Sequence, residues 1–342
     1  MPNPTTTPLL ELRNLTVEFP NRGREAGGPR RFRAVDDVNL DIRPGEVIGL
    51  VGESGSGKTT VGKTLLRLHE PAAGRILFRG TDITHLGEGL LRPYRRDLQM
   101  IFQDPLSSFN PRQNIGQSLA VPLLLHNVCS RATVTEEIGK RLAAIGLSPA
   151  MRERFPHELS GGQLQRVAIA RALTLAPALI VADEPVSKLD VSVRAQILNL
   201  LKDVQGRLGV ALLFITHDLH VARYLCHRIG VMYFGKLVEI ATTADLFAAP
   251  RHPYTRGLLA AVPKLGSSLG EEGRGRLAEI PGQVPSLRRR IEGCAFAGRC
   301  AQAMELCHRV APAAVPVGAA MGEAAAEHLV ACHLAAPGRA VA

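Results

Sequence analysis

Residues Gly52, Glu53, Ser54, Gly55, Ser56, Gly57, Lys58 and Thr59 spell Gly-x4-Gly-Lys-Thr. Glycines let a backbone curl until its N–H groups face an anion, and a helix that starts there adds a favourable dipole. In such a loop Lys58 would reach the β- and γ-phosphates of a nucleotide, and the Thr59 hydroxyl would bind Mg²⁺. Asp183 and Glu184 close a second apolar run, Ala178 to Ala182. That is the expected place for a carboxylate that holds Mg²⁺ through water, with a neighbouring acid to position and polarise the attacking water. An acid pair at a strand end also suits a helix cap. The phosphate loop and the sharp exit offered by Pro185 weigh towards the catalytic reading.

His217 follows a third apolar run, 210–215, where a neutral imidazole could hold the γ-phosphate and the water in place. Gln103 ends the stretch Gln99-Met100-Ile101-Phe102, and its amide could sense Mg²⁺ or water. Ser160, Gly161, Gly162 and Gln163 open a strongly helical stretch. Ser160 suits the N-cap and Gln163 the third position of a capping box. An ordinary cap explains Ser160 and Gln163. The paired glycines go further, because they leave helix N-terminal N–H groups open to an anion.

These groups need rigid supports. Val47 to Val51 is a short, continuous apolar strand that runs into the glycine loop, and Val61, Leu65, Leu66 and Leu68 give the following segment a helical spacing. Apolar strands at 178–182 and 210–215 alternate with helices, and 229–234 and 236–240 flank Gly235 as two more strands. Short apolar strands alternating with helices predict an α/β core with a parallel-type sheet. Residues 9–19 and 35–42 alternate as strands around a Gly/Arg-rich segment, 21–29, and residues from about 92 to 170 read as a helical insert. Beyond about 245, Pro250, Pro253, Pro263, Pro281 and Pro285 break regular structure; 266–275 reads as a flexible link and 311–326 as low in complexity. The tail therefore reads as a separate small module.

Forty-one Lys and Arg against 31 Asp and Glu give the 342-residue chain a formal charge of +10. No Trp, few aromatics and no nucleic-acid-binding motif accompany the charge, so a solvated basic surface is expected and no nucleic-acid partner. No apolar run approaches the roughly 18 residues that span a bilayer, and the start lacks the blocks of a signal peptide, so a soluble cytosolic chain is expected. Cys294, Cys300, Cys307 and Cys332 cluster as Cys-x5-Cys-x6-Cys-x24-Cys, whereas Cys129 and Cys226 stand apart. In a cytosolic chain such clustering favours a metal over disulfides. The spacing is neither a ferredoxin pattern nor a usual zinc pattern, and four thiolates suit zinc or an iron–sulfur centre.

In combination and order these motifs closely resemble the ATP-binding subunit of an ABC transporter across essentially the whole chain. The resemblance implies a P-loop NTPase core of RecA type with an antiparallel β subdomain and a helical subdomain at about 92–170, all within residues 1–245. A C-terminal extension, 246–342, would carry the four cysteines. It makes Gly52 to Thr59, with Thr60, the Walker A loop and Ile180 to Asp183 the end of the Walker B strand. Glu184 becomes the catalytic glutamate, Gln103 the Q-loop, Leu159 to Gln163 the signature, and His217 the switch histidine. Phe19 fits the aromatic that stacks on adenine, Ser187 to Asp190 the D-loop, and Thr59, Gln103 and Asp183 the Mg²⁺ ligands. The family acts as a dimer in which one subunit's signature completes the other's P-loop site; ATP closes the pair and hydrolysis opens it.

Phe102 to Arg112, His252 to Leu259, Ile280-Pro281-Gly282 and the cysteine segment resemble the dipeptide/oligopeptide importer branch. That branch implies two permease subunits, an extracytoplasmic substrate-binding protein, a second and often non-identical ATPase, and a peripheral place on the cytoplasmic face of the inner membrane. Relatives import nickel or glutathione, and some members carry a [4Fe–4S] cluster at the cysteines. A soluble ABC ATPase of DNA repair or translation is the competing class, but it tends to carry two ATPase halves or a long coiled-coil insertion. Three positions depart from the pattern: Lys188 stands where the D-loop usually has Ala, Leu164 where a polar residue follows the signature, and Ala301 where Pro is common.

Overall fold

The computed structural model describes residues 7–21, 30–261, 280–283, 285–288, 291–317 and 328–335. Most of the Gly/Arg-rich segment, the expected flexible link and residues 318–326 of the low-complexity stretch lie outside these. Among the described residues, twelve strands form two sheets. β1 (Leu10–Pro20), β2 (Arg31–Ile42), β4 (Ala73–Phe78) and β5 (Thr81–Asp82) make an antiparallel sheet in the order β2-β1-β4-β5. The others are β3 (Val47–Val51), β6 (Leu98–Ile101), β7 (Leu179–Asp183), β8 (Ala211–Thr216), β9 (Arg228–Tyr233), β10 (Lys236–Thr242), β11 (Val315–Pro316) and β12 (Leu329–Val330). They order as β11-β12-β10-β9-β3-β8-β7-β6, and β9, β3, β8, β7 and β6 run parallel.

Every residue of β3, β7 and β8 is buried. Alternate side chains explain why their sequences are continuously apolar rather than alternating. Ile180, Leu212 and Phe214 enter the core on one face of the sheet, while Val181, Leu213 and Ile215 enter the core on the other. The helix Lys58–Leu65 lies directly on this second face. A Cβ at Gly62 would come within 2.8 Å of Ile215 and Val181, so glycine sets how closely the helix docks.

The helical insert begins later than the sequence pattern suggests. Leu98 to Ile101 pair in parallel with Leu179 to Ala182, so this stretch is a core strand. A four-residue strand is too short to show a period of its own. The helices Ile115–Leu125, Val134–Ala144 and Gly161–Leu173 close around a third core that includes Leu119, Leu123, Leu142 and Val167.

The tail also differs from the expected separate module. Leu329 and Val330 pair antiparallel with Ile240 and Glu239, and Val315 and Pro316 pair with β12 in turn. An exposed strand edge is a liability, and here the chain's own tail covers the edge of β10. Beneath it, the buried Glu239 carboxylate accepts the Arg251 and His252 N–H groups at 2.7 and 2.9 Å and meets His328 Nε2 at 2.8 Å.

Candidate functional site

The glycine loop joins the end of β3 to the helix Lys58–Leu65. Gly52 and Gly57 have φ of 153° and 101°, and a Cβ at either would lie 2.2 Å from the Met232 carbonyl oxygen or 2.4 Å from that of Ala34. Only glycine fits such contacts. Lys58 is buried, and its ammonium donates to the Gly52 and Glu53 carbonyls, both at 2.8 Å, and to Ser56 Oγ at 3.2 Å. Burial lowers its pKa from the ordinary lysine value, against the opposing charges of Glu184, Asp183 and Glu53.

Thr59 Oγ1 donates to Asp183 Oδ1 at 2.8 Å, across 124 residues of sequence. Asp183 is 3% exposed, and burial raises its pKa against the Thr59 bond and the lysine charges. A hydroxyl and a carboxylate facing each other at the phosphate loop are hard oxygen donors of the kind Mg²⁺ takes. The residues present therefore fit the ion.

Glu184 follows with φ of +45°, a left-handed backbone that non-glycine residues seldom adopt. Its N–H donates to Ile215 O at 2.9 Å, which ties the turn to the end of β8. One carboxylate oxygen accepts from Gln103 Nε2 at 3.0 Å and the other stands 3.4 Å from His217 Nδ1. Three residues from the ends of three parallel strands, β6, β7 and β8, thus meet at one carboxylate.

Ser160 and Gln163 form the expected capping box, with Ser160 Oγ accepting from Gln163 N and Gln163 Oε1 accepting from Ser160 N. The two glycines separate in role. A Cβ at Gly162 would lie 2.5 Å from Val193 Cγ1, whereas Gly161 meets only Leu189 at 3.7 Å. Phe19 is half-buried, with ring centroids 5.3 Å from His69 and 6.1 Å from Phe32. Asp190 stands at the N-cap position of the helix Val191–Leu208 without a side-chain cap bond. Lys188 is exposed, and its ammonium lies 3.6 Å from Asp104 of the same chain, beside Gln103.

Two family descriptions match this chain: "ABC transporter" over residues 35–187, and "Oligopeptide/dipeptide transporter, C-terminal region" over residues 238–307. An oligopeptide transport ATP-binding protein of Bacillus subtilis (strain 168) is 44% identical over 331 residues, covering 95% of this chain and 97% of its own. The chain belongs to the ABC transporter ATP-binding family. A probable peptide ABC transporter ATP-binding protein of Sinorhizobium fredii is 46% identical over 338 residues, covering 97% of this chain and 91% of its own. Among solved structures, an ATP-binding cassette determined as a dimer in a post-hydrolysis state with ADP and Pi has a TM-score of 0.62 at 30% identity. It matches over 68% of this chain and 98% of that one.

In this ABC ATPase the phosphate loop also has partners far along the chain. Glu53 N–H donates to Tyr254 Oη at 2.9 Å, and the Arg299 guanidinium grips the Glu53 carboxylate at 2.7 and 3.1 Å. Sequence reasoning noted Tyr254 and Arg299 only as parts of family-like strings, since nothing local links positions more than two hundred residues apart. Arg299 stands between Cys294 and Cys300 on a turn of the cysteine segment. All four clustered cysteines line one narrow cavity with His252 and Phe296, and all are free thiols. Burial pushes the Cys294 thiol up to about 11. Among the described residues, no group of three or more His, Cys, Asp or Glu side chains is arranged to hold a metal ion, so the expected [4Fe–4S] cluster finds convergence of the thiols but no formed ligand set.

Proposed function

We propose that this ATPase powers the import of di- or oligopeptides, pairing with a second and non-identical ABC subunit beneath two permease subunits served by an extracytoplasmic binding protein. The names of the relatives and the match to the oligopeptide/dipeptide C-terminal region support the cargo. Among the described residues no helix is long and apolar enough to cross a membrane, in keeping with a peripheral subunit at the cytoplasmic face. We divide the chain near residue 245, with the ATPase domain before it and the extension after.

The observation that carries the mechanism is the Glu184 carboxylate held between Gln103 and His217 beside the Thr59–Asp183 pair. In this reading the backbone from Gly52 to Thr60 cradles the phosphates, and Lys58 turns from its own loop carbonyls to the β- and γ-phosphates. Phe19 stacks on the adenine. Thr59, Asp183 and Gln103 would hold Mg²⁺, which would supply neutralisation of the charge developing on the phosphates. Glu184 positions a water in line with the γ-phosphorus and accepts its proton as the bond to the ADP oxygen breaks. His217 holds the γ-phosphate and the water. Ser160, Gly161, Gly162 and Gln163 of the partner subunit complete the site, and Asp190 lies at the seam.

The test is gentle co-purification from membranes with mass spectrometry of the associated subunits, followed by peptide uptake in cells lacking the chain. Permeases, a second ATPase and lost peptide uptake are expected. Recovery of ribosomes or nucleic acid alone would overturn the transporter assignment, and uptake of nickel or glutathione in place of peptides would overturn the cargo.

For the tail we propose a soft-metal centre held by Cys294, Cys300, Cys307 and Cys332, of [4Fe–4S] type. Four thiols lining one cavity favour this reading. Anaerobic purification with iron, sulfide and zinc assays checks it: a brown, iron-containing protein is expected, and a colourless, iron-free one rejects the cluster.

A further inference from the structure

Glu53 is the first residue inside the phosphate loop, and three of its groups are held. Its carbonyl accepts from the Lys58 ammonium at 2.8 Å, its N–H donates to Tyr254 Oη at 2.9 Å, and its carboxylate receives Arg299 through two bonds. The first contact lies within the loop; the other two come from the C-terminal extension, 201 and 246 residues away. Arg299 is itself immobilised. Its side chain is 7% exposed, its Nε donates to the Pro281 carbonyl at 3.0 Å, and its guanidinium lies 5.8 Å from the Tyr233 ring. Tyr233, Tyr254 and Phe296 pack together with centroids 4.7 to 5.4 Å apart, so the tyrosine and the arginine that hold Glu53 share one aromatic support. A bidentate pair with little access to water is held in one geometry, unlike an exposed ion pair.

We propose that Arg299 is a positioning residue for ATP hydrolysis: by gripping Glu53 it holds the phosphate loop in its nucleotide-ready shape, and the C-terminal extension is thereby part of the ATP site. The proposal rests on the loop being that site. Without the two bonds between Arg299 and the Glu53 side chain, residue 53 is no longer pinned, and its backbone N–H and carbonyl, the latter a partner of the Lys58 ammonium, lose their fixed place in the loop. The loop then spends less of its time competent, and apparent affinity falls in proportion to the competent fraction. Arg299 touches no reacting atom, so the rate of bound ATP is left alone.

Full-length chain carrying Arg299→Gln, Glu53→Gln or both is compared for the Kd of a fluorescent ATP analogue, ATPase KM and kcat, and Tm. Glu53→Gln breaks the pair without touching the cysteine segment, which guards against misfolding of the tail in Arg299→Gln. Each single variant is expected to raise Kd and KM about tenfold at near-constant kcat, and the double variant no further. Arg299→Lys recovers part of the loss, since one ammonium can hold one carboxylate oxygen but cannot match the fork. A purely structural staple would lower Tm and leave Kd and KM where they were. That result, or a double variant equal to the product of the two singles, overturns the proposal. Lys58→Ala, run alongside, loses nucleotide binding if the loop is the ATP site, so a failure of that reading shows in this variant and a failure of the Arg299 proposal in the others.

Discussion

Glu184 combines an unfavourable backbone with three anchors. Its left-handed φ of +45° is of a kind that costs about 1–3 kcal/mol and persists only where the surroundings hold it. The Ile215 carbonyl, Gln103 and His217 are those surroundings. In the proposed mechanism Asp183 serves the metal and Glu184 the water. Glu184→Gln keeps the shape and the neighbours but removes the proton acceptor, so kcat should fall about 10²- to 10⁴-fold with ATP binding retained. ATPase rate and nucleotide affinity measured together check this, and a variant within a few-fold of the parent rate would remove Glu184 from the mechanism. Residue type and position marked Glu184 in the sequence, at the close of an apolar run. Its backbone strain was not legible, because φ is set by what the strand ends force on the turn.

At the scale of elements, the helix Gly161–Leu173 carries two demands at its start. Ser160 and Gln163 were legible as a capping box because the spacing of three is local. The reason for two glycines was legible only as a possible anion approach, whereas Gly162 also allows close packing on Val193 of the helix Val191–Leu208. Gly162→Ala should therefore destabilise by about 1–3 kcal/mol through overpacking. Adding Val193→Ala should return the stability, as read by denaturant unfolding. ATPase activity of the assembled complex should stay low in the double variant if the open N–H groups serve a partner's phosphate. Full recovery of activity along with stability would reduce Gly162 to a packing residue. The two-residue strand β12 and the short β6 escaped sequence reading for a shared reason: pairing partners far along the chain, rather than periodicity, define them. Lys188 was legible as a departure, but its place beside Asp104 was not.

The whole molecule is bound together by long-range ties between core and tail, and one of them titrates. His252 is 1% exposed, caps the helix Pro253–Ala260 by accepting from Tyr254 N at 3.0 Å, and sits where its backbone N–H meets Glu239. Burial lowers its pKa to about 4, with the Glu239 charge opposing. The unfolded chain takes up this proton near the ordinary value of 6.5, so between the two values the unfolded state binds more protons than the folded one. Stability must then rise with pH across that window and fall as the medium is acidified from about 6.5 to about 4, by about 3 kcal/mol from this group alone. His252→Asn keeps a side-chain acceptor for the cap and removes the titration. Denaturant unfolding of both proteins at several pH values isolates the term, because every other group titrates in each. The difference in stability between parent and variant should shrink or reverse by about 3 kcal/mol on going from pH 6.5 to pH 4. Parallel pH profiles would show that His252 takes up its proton in the folded chain as readily as in the unfolded one, and would remove it as a source of acid sensitivity.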